Sequence, residues 1–333
     1  MTRTVRVLAL LVASVLVFGC GSTASPSITS SGSVAASGAS IPAASNPVAE
    51  SPSPSPVEPT TSPSAGEPSP SPGAPSPIAS PSATASSMIV RAYFLLASAT
   101  GGDPRLVPVL RTVPRTVAAA TSSIDELLAG PSVLERGASP GISSLIPGGT
   151  RLIGVRIAAG IATVNLSSDY ASGGGSFSMR GRLAQVVYTL TQFASVSSVR
   201  FELDGQPVTV FSTEGIVLDK PVGRNAYRDL LPPIFVDRPA YRAALGNPGP
   251  VSGLANVFEA AFRVAIIDAA GRTLASRRVT ASCGTGCWGT FSVTVSYSVP
   301  AAQWGSLRAW DMSARDGSVQ DLRTYPVWLT SAP

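Results

Sequence analysis

The 333-residue chain contains no histidine. This removes the Ser-His-Asp and Cys-His arrangements and nearly every catalytic zinc site, in all of which imidazole serves as base or ligand. Lysine is almost as scarce. Lys220 is the only one, and Val217 stands three residues before it, so no Ser-x-x-Lys nucleophile can form. No Gly-x4-Gly-Lys phosphate loop exists either; Gly173-Gly174-Gly175 has no basic residue at the required place and reads as a flexible loop. Paired carboxylates could in principle work on a glycan. However, Asp125 and Glu126 are adjacent on an expected helix and point apart, and the one Glu-Ser pair, Glu50-Ser51, lies in a Ser/Pro-rich stretch. The residues therefore offer no catalytic, cofactor or metal site.

Cysteine is nearly missing too, and the three present are informative. Cys20 ends an apolar run, Val7 to Phe18, that follows Arg3 and Arg6. A basic start, an apolar segment and a small residue before cysteine make a lipoprotein signal over 1–19, with Cys20 lipidated as the mature N-terminus. Phe18 and Val17 are bulkier or rarer than the residues usual at their places, and the other reading is a plain secretory signal or an uncleaved anchor with an incidental cysteine. The run is shorter than the ~20 residues a membrane span requires.

Aromatic residues are absent from Gly21 to Ser87, where Ser, Pro, Ala, Thr and Gly dominate and the only charges are Glu50, Glu58 and Glu67. Nothing there offsets the entropy of ordering, so residues 20–87 are expected to be a disordered stalk. It would span ~45 Å as a coil and ~200 Å as full polyproline II. With signal and stalk charges set aside, the remainder holds 22 basic and 16 acidic residues, a mild excess carried almost wholly by arginine. Such a surface suits wall polymers or anionic headgroups. No nucleic-acid module is visible.

From Met88 the pattern changes. Met88 to Leu96 and Leu106 to Val113 are expected strands, the second interrupted by Pro108. Val117, Ala120, Ile124, Leu127 and Leu128 fall at helical spacing and stop at Gly130-Pro131. Thr116 could cap that helix early, or Ser123 with Glu126 could form a capping box and start it late. Leu152 to Ile157 and Ile161 to Leu166 read as strands turning at Ala159-Gly160, and a second helix from about Ser178 carries Leu183, Val186, Val187, Leu190 and Phe193 on one face. Ser198 to Leu203 is a last strand, turning at Asp204-Gly205. This mixture predicts an α+β domain over 88–220.

Within it, Leu127-Leu128-Ala129-Gly130-Pro131, Ile146 to Leu152, Ile161 to Ser167, and Tyr188-Thr189-Leu190-Thr191-Gln192-Phe193 through Val199 to Asp204-Gly205 resemble the GerMN domain of sporulation and spore-germination proteins. The resemblance implies an assembly or binding module and transfers no catalytic residue.

After a linker, 221–233, residues 234–331 read as an all-β sandwich. Phe258, Ala260, Phe262, Val264 and Ile266 alternate with Glu259, Ala261, Arg263 and Ala265, and Phe291, Val293, Val295 and Tyr297 alternate with Ser292, Thr294 and Ser296. Turns are expected at Asp268 to Gly271 and at Asp316-Gly317. A strand through Glu259 would pair it with Arg263. Pro248 to Ala260 resembles the opening of the Gmad-type immunoglobulin-like domain that accompanies GerMN domains. Cys283 and Cys287 flank Gly284-Thr285-Gly286; export makes a disulfide the default, worth only ~2 kcal/mol for so short a ring.

Together these features point to a non-enzymatic, lipid-anchored envelope protein outside the cytoplasm of a bacterium. Its partners would be the membrane, through lipid on Cys20, and peptidoglycan or another envelope protein. The alternative is a carboxylate-dependent enzyme acting on wall glycan. Arg180 and Arg182, at the start of the second helix, are candidate binding residues, although cations there oppose the helix dipole and suit a solvated first turn equally well. Exposed aromatics such as Trp304 or Trp310 would favour binding over catalysis.

Overall fold

The computed structural model describes residues 86–98 and 101–331. The signal segment, Cys20 and the 20–87 stretch up to Ala85 lie outside them.

An almost wholly apolar segment makes the first strand, β1 (Ser87–Leu96), which is buried along most of its length. It pairs antiparallel over ten residues with β2 (Arg105–Pro114). After α1 (Ala119–Ala129) and the single turn α2 (Val133–Arg136), β3 (Ile142–Ser143) joins the other side of β1. Pro108 does not interrupt β2. It stands opposite Tyr93 on a strand at the sheet edge, where a missing N–H costs no ladder bond.

Helix α1 begins near the earlier of its two candidate starts: Ala118 precedes it, and the Thr116 hydroxyl accepts from the Ala118 N–H. Ser123 lies inside the helix, buried, and donates to the Ala120 carbonyl. The capping box is elsewhere, on α2: Ser132 accepts from the Glu135 N–H while the Glu135 carboxylate accepts from Ser132 N–H.

β4 (Leu152–Ala158) and β5 (Ile161–Leu166) form a hairpin through Ala159 and Gly160, both at positive φ. β6 (Ser198–Leu203) lies parallel to β5, so the connection must cross over, and α3 (Ser176–Leu190) makes that crossing. β7 (Gln206–Pro207) completes the four-stranded sheet, with Asp204-Gly205 at the turn. A small ribbon, β8 (Val210–Phe211) with β9 (Ile216–Val217), follows. The connector expected over 221–233 is folded: a 3-10 segment, Arg224–Leu230, packs against α3 and buries Tyr227 and Leu230, and Leu231 just beyond it is buried too.

The second half is a curled immunoglobulin-like sandwich. β10 (Ile234–Arg238), β11 (Ala244–Leu245), β12 (Gly249–Ala255), β13 (Ala261–Ile267), β14 (Thr273–Thr280), β15 (Gly289–Val295), β16 (Gln303–Met312) and β17 (Val319–Leu329) divide into sheets β10-β12-β15 and β11-β17-β16-β13-β14. Phe262 and Phe291 meet edge-on at 4.9 Å across the sandwich. The alternation from Phe258 holds only from Ala261 onward. Phe258–Ala260 is a 3-10 turn with Glu259 and Ala260 at positive φ, which removes Glu259 from the strand, and among the described residues no ion pair joins it to Arg263. Tyr297 stands beyond the end of β15, its hydroxyl donating to the Leu245 carbonyl.

One hydrophobic core runs through both halves, from Leu95 and Leu183 by way of Tyr227, Leu231 and Tyr241 to Phe262 and Val327. The two halves are not beads on a string.

Candidate functional site

The loop before α3 is built around a buried arginine. Arg182 is 2% exposed. Its guanidinium donates to the carbonyls of Tyr170 (2.6 Å), Ser172 (2.9 Å) and Gly173 (2.9 Å) and to the Ser178 hydroxyl (3.1 Å). Burial pulls its pKa below the ordinary arginine value. Gly174, at φ +87°, has no room for a Cβ, which would lie 2.9 Å from that guanidinium. The glycine run is therefore a fitted loop, and Arg182 is corrected from a candidate surface contact to an internal clamp: both of its Nη groups have internal acceptors, its Nε is buried without one, and its side chain is out of reach. Arg180 reaches the surface but is engaged, at 2.8 Å from Asp229 and over the Tyr227 ring. It ties α3 to the connector.

The end of α3 does something periodicity does not reveal. β3 pairs with β1 only at Leu95 and Leu96, leaving the earlier edge of β1 without a strand partner. Side chains supply the missing bonds. The Gln192 amide accepts from Arg91 N–H and donates to Arg91 C=O, both at 2.7 Å, imitating a neighbouring strand. Thr189 accepts from Tyr93 N–H, and Gln185 donates to Tyr93 C=O. The Tyr188-to-Phe193 motif thus earns its polar residues as an edge cap, not only its apolar ones as core.

Around it lies the seam between the halves. Tyr93 Oη donates to Asp237 at 3.2 Å, and Arg91 pairs with the same carboxylate at 3.3 Å. Arg224 stacks over Tyr188 (4.7 Å) and Tyr93 (5.4 Å) and donates to Thr191 Oγ1 and the Tyr188 carbonyl. Burial pushes the Tyr93 hydroxyl up to about 12 against the opposing pull of Arg224, with Asp237 reinforcing the rise. A tyrosine held neutral in this way donates a hydrogen bond and offers no base. From the second half, Tyr241 donates its N–H to Pro108 C=O (2.9 Å) and its hydroxyl to Pro140 C=O (2.8 Å). Sequence reasoning missed Tyr93, Arg224, Asp237 and Tyr241, because each is defined by a partner more than 100 residues away.

Cys283 and Cys287 are joined by a disulfide, with Cα atoms 5.8 Å apart. The loop they close docks on the 258–260 turn. Thr285 accepts from Glu259 N–H and donates its own N–H to Val257 C=O, and a Cβ on Gly284 would lie 2.3 Å from Ala260 N. Trp304 is 42% exposed, edge-on to Trp328 at 5.3 Å and covered on one side by Arg242 at 4.3 Å. Trp310 is half-buried and walls a groove of about 380 Å³ on the outer face of the five-stranded sheet. Among the described residues, no group of three or more acidic or sulfur side chains could hold a metal ion, and no helix is long and apolar enough to cross a membrane.

Comparison with known proteins places these features. No curated protein matches the chain. Among solved structures, tandem GerMN domains of the sporulation protein GerM from Bacillus subtilis are 12% identical, over 74% of this chain and 62% of that one, with a TM-score of 0.35. The first GerMN domain of the same protein is 19% identical over 41% and 98%, at 0.32, and a candidate lipoprotein from Clostridium perfringens is 21% identical over 44% and 93%, at 0.30. Residues 91–209 match the Germane family, described as sporulation and spore germination, and residues 233–318 match Gmad2, the immunoglobulin-like domain of bacterial spore germination. The chain therefore carries a GerMN domain followed by a Gmad2 immunoglobulin-like domain.

Proposed function

We propose that this protein is a non-enzymatic cell-envelope adaptor, anchored by lipid on Cys20, whose fused GerMN and immunoglobulin-like domains present binding surfaces to peptidoglycan or another envelope protein in a sporulation, germination or wall-associated setting. The single observation that carries the reading is the seam: two domains of sporulation and germination families share one core and a polar network of Arg91, Tyr93, Arg224 and Asp237. A scaffold of that kind holds two surfaces at a fixed separation, which an adaptor needs and a hydrolase does not. Lipid on Cys20 would raise the effective concentration of the head for partners near the membrane, so weak contacts suffice. Arg180, with part of its side chain in solvent beside Asp229, remains a candidate contact.

The test has two arms. Membrane fractionation of Cys20→Ala should show the protein released; retention equal to wild type would remove the anchor from the proposal. Purified protein incubated with peptidoglycan should be retained by envelope material without releasing muropeptides. Release that disappears on substituting one carboxylate would replace the adaptor with a glycan-cleaving enzyme.

A further inference from the structure

The outer face of the five-stranded sheet carries an arrangement that folding alone disfavours. Arg263 on β13 stands directly opposite Arg278 on β14, and on its other side opposite Trp310 on β16. Residues paired across strands share a face, with Cβ atoms about 5 Å apart, and like charges so placed are destabilising. The next row, Ser276, Ala265 and Arg308, adds a third arginine diagonal to Arg263, about 7–8 Å away by sheet geometry. All three arginines are exposed, and among the described residues none has an ion-pair or hydrogen-bond partner. Arg91, Arg111, Arg180 and Arg272 have carboxylates and Arg182 has its ring of carbonyls, whereas Arg323 buries Nε and Nη1 without a partner; what sets the trio apart is that Arg263 and Arg278 face each other directly across paired strands.

The same face is hollowed on both sides of the arginines. A depression of about 270 Å³ runs past Phe258, Glu259, Arg263, Arg278 and Met312, and the groove of about 380 Å³ is floored by Ala265 and Ile267 and walled by Trp310, Arg308 and Leu322. The small side chain of Ala265 opens the floor between them. Hydroxyls of Thr273 and Ser276 edge the second groove.

We propose that this face binds an anionic polysaccharide, with a sugar ring lying on Trp310 and its carboxylate or phosphate held between Arg263, Arg278 and Arg308. Guanidinium groups match planar carboxylate and tetrahedral phosphate oxygens through paired N–H donors. An anion between Arg263 and Arg278 turns their repulsion into attraction, which is the charge complementarity the bare face lacks. Indole offers a flat apolar surface to the C–H face of a pyranose and keeps a polar edge for its hydroxyls. A membrane is the poorer occupant: Phe258, Met312 and Val319 are exposed at the rims of the two hollows, but the floor of Ala265 and Ile267 is buried, the groove edge carries the Thr273 and Ser276 hydroxyls, and no continuous apolar face is offered for insertion. The inference rests on the adaptor reading only for the setting in which such a polymer would be met.

The test uses the full chain in detergent with polygalacturonate as the carboxylate-bearing probe, neutral dextran and phosphatidylglycerol vesicles as comparisons, and titration calorimetry or affinity electrophoresis as readout. Polygalacturonate should bind and dextran should not, with affinity falling as salt rises. The double variant Arg263→Ser/Arg278→Ser and the single variant Trp310→Ala should each weaken binding tenfold or more. Arg277→Ser, on the opposite face of β14, should leave it unchanged. Arg278→Ser alone should weaken binding while raising the melting temperature by about 1–3 °C, because it relieves the like-charge pair; a merely structural arginine would lower it. Unchanged affinity in the double variant, equal loss in Arg277→Ser, or vesicle binding that survives without polygalacturonate binding would each overturn the proposal. Loss of polygalacturonate binding with envelope retention intact would leave the adaptor reading standing on the GerMN domain alone.

Discussion

Arg182 and Arg180 are two residues apart and have opposite fates, because side chains at that spacing on a helix do not face the same way. Removing Arg182 leaves three carbonyls without their donor in a buried loop, at a cost of about 3 kcal/mol. Arg182→Ala should therefore lower the urea midpoint sharply, whereas Arg180→Ala, which breaks an exposed pair, should cost no more than about 1 kcal/mol. Equal effects would mean that the loop is held by something other than Arg182. Neither fate could be read from the sequence, where both are cations in a first turn opposing the helix dipole. Burial of a charge is decided by whether carbonyls converge on it, and those carbonyls lie on a loop whose glycine run reads as flexible in the sequence.

Glu135 adds a pH dependence with a definite sign. Burial alone would raise its carboxyl pKa, but two bonds from Arg111 at 2.8 Å and the Ser132 N–H hold it below its ordinary value of 4.5. The folded state then binds fewer protons than the unfolded one in that window. The contribution is fully present above about 4.5 and is lost as pH falls through the lower folded-state value. Acid unfolding of Glu135→Gln should accordingly show a shallower loss of stability below pH 4.5 than wild type; an identical acid limb would assign the dependence to other carboxylates.

At the scale of elements, the edge of β1 depends on side chains. In Gln192→Leu, Arg91 N–H and C=O lose their partners in a half-buried position, at about 2 kcal/mol. Hydrogen exchange at the Arg91 amide should accelerate by more than the global loss of stability explains; protection unchanged relative to the core would show that water or a neighbouring group replaces the amide. Strands and helices themselves were legible. β1, β5, β6 and both long helices follow apolar periodicity, and the glycine turns at Gly130, Gly160, Gly205, Gly271 and Gly317 stand at positive φ. The misreadings have local causes. Pro108 breaks a strand only if its N–H is needed, and at an edge it is not. Ser123 and Glu126 have the spacing of a capping box without a free helix end to cap. Glu259 and Ala260 continue an alternation on paper but occupy a left-handed turn held by the disulfide loop.

For the whole molecule, the shared core changes what two domains should mean in solution. Families matched separately at 91–209 and 233–318 invite the expectation of two independent unfolding events. With Tyr227, Leu231 and Tyr241 buried between them, calorimetry should record one cooperative transition. Two resolved peaks would mean that the seam is weaker than its contacts imply. Reduction of Cys283–Cys287 should lower that single midpoint modestly, since so small a ring contributes about 2 kcal/mol. The candidate polysaccharide face was only partly legible: alternation placed Arg263 on a polar face, but its alignment with Arg278 and Trp310 requires the register of three strands.

The seam also bears on self-association. An open strand edge is a template onto which a strand from another molecule can zip, and proteins crowded on a surface meet one another constantly. The outer edge of β2 is denied to such a visitor twice over: Pro108 has no N–H to offer, and its carbonyl is already taken by Tyr241. The second domain thus sits where a neighbour's strand would otherwise add, and the fold spends its own chain on a guard against fibrous aggregation.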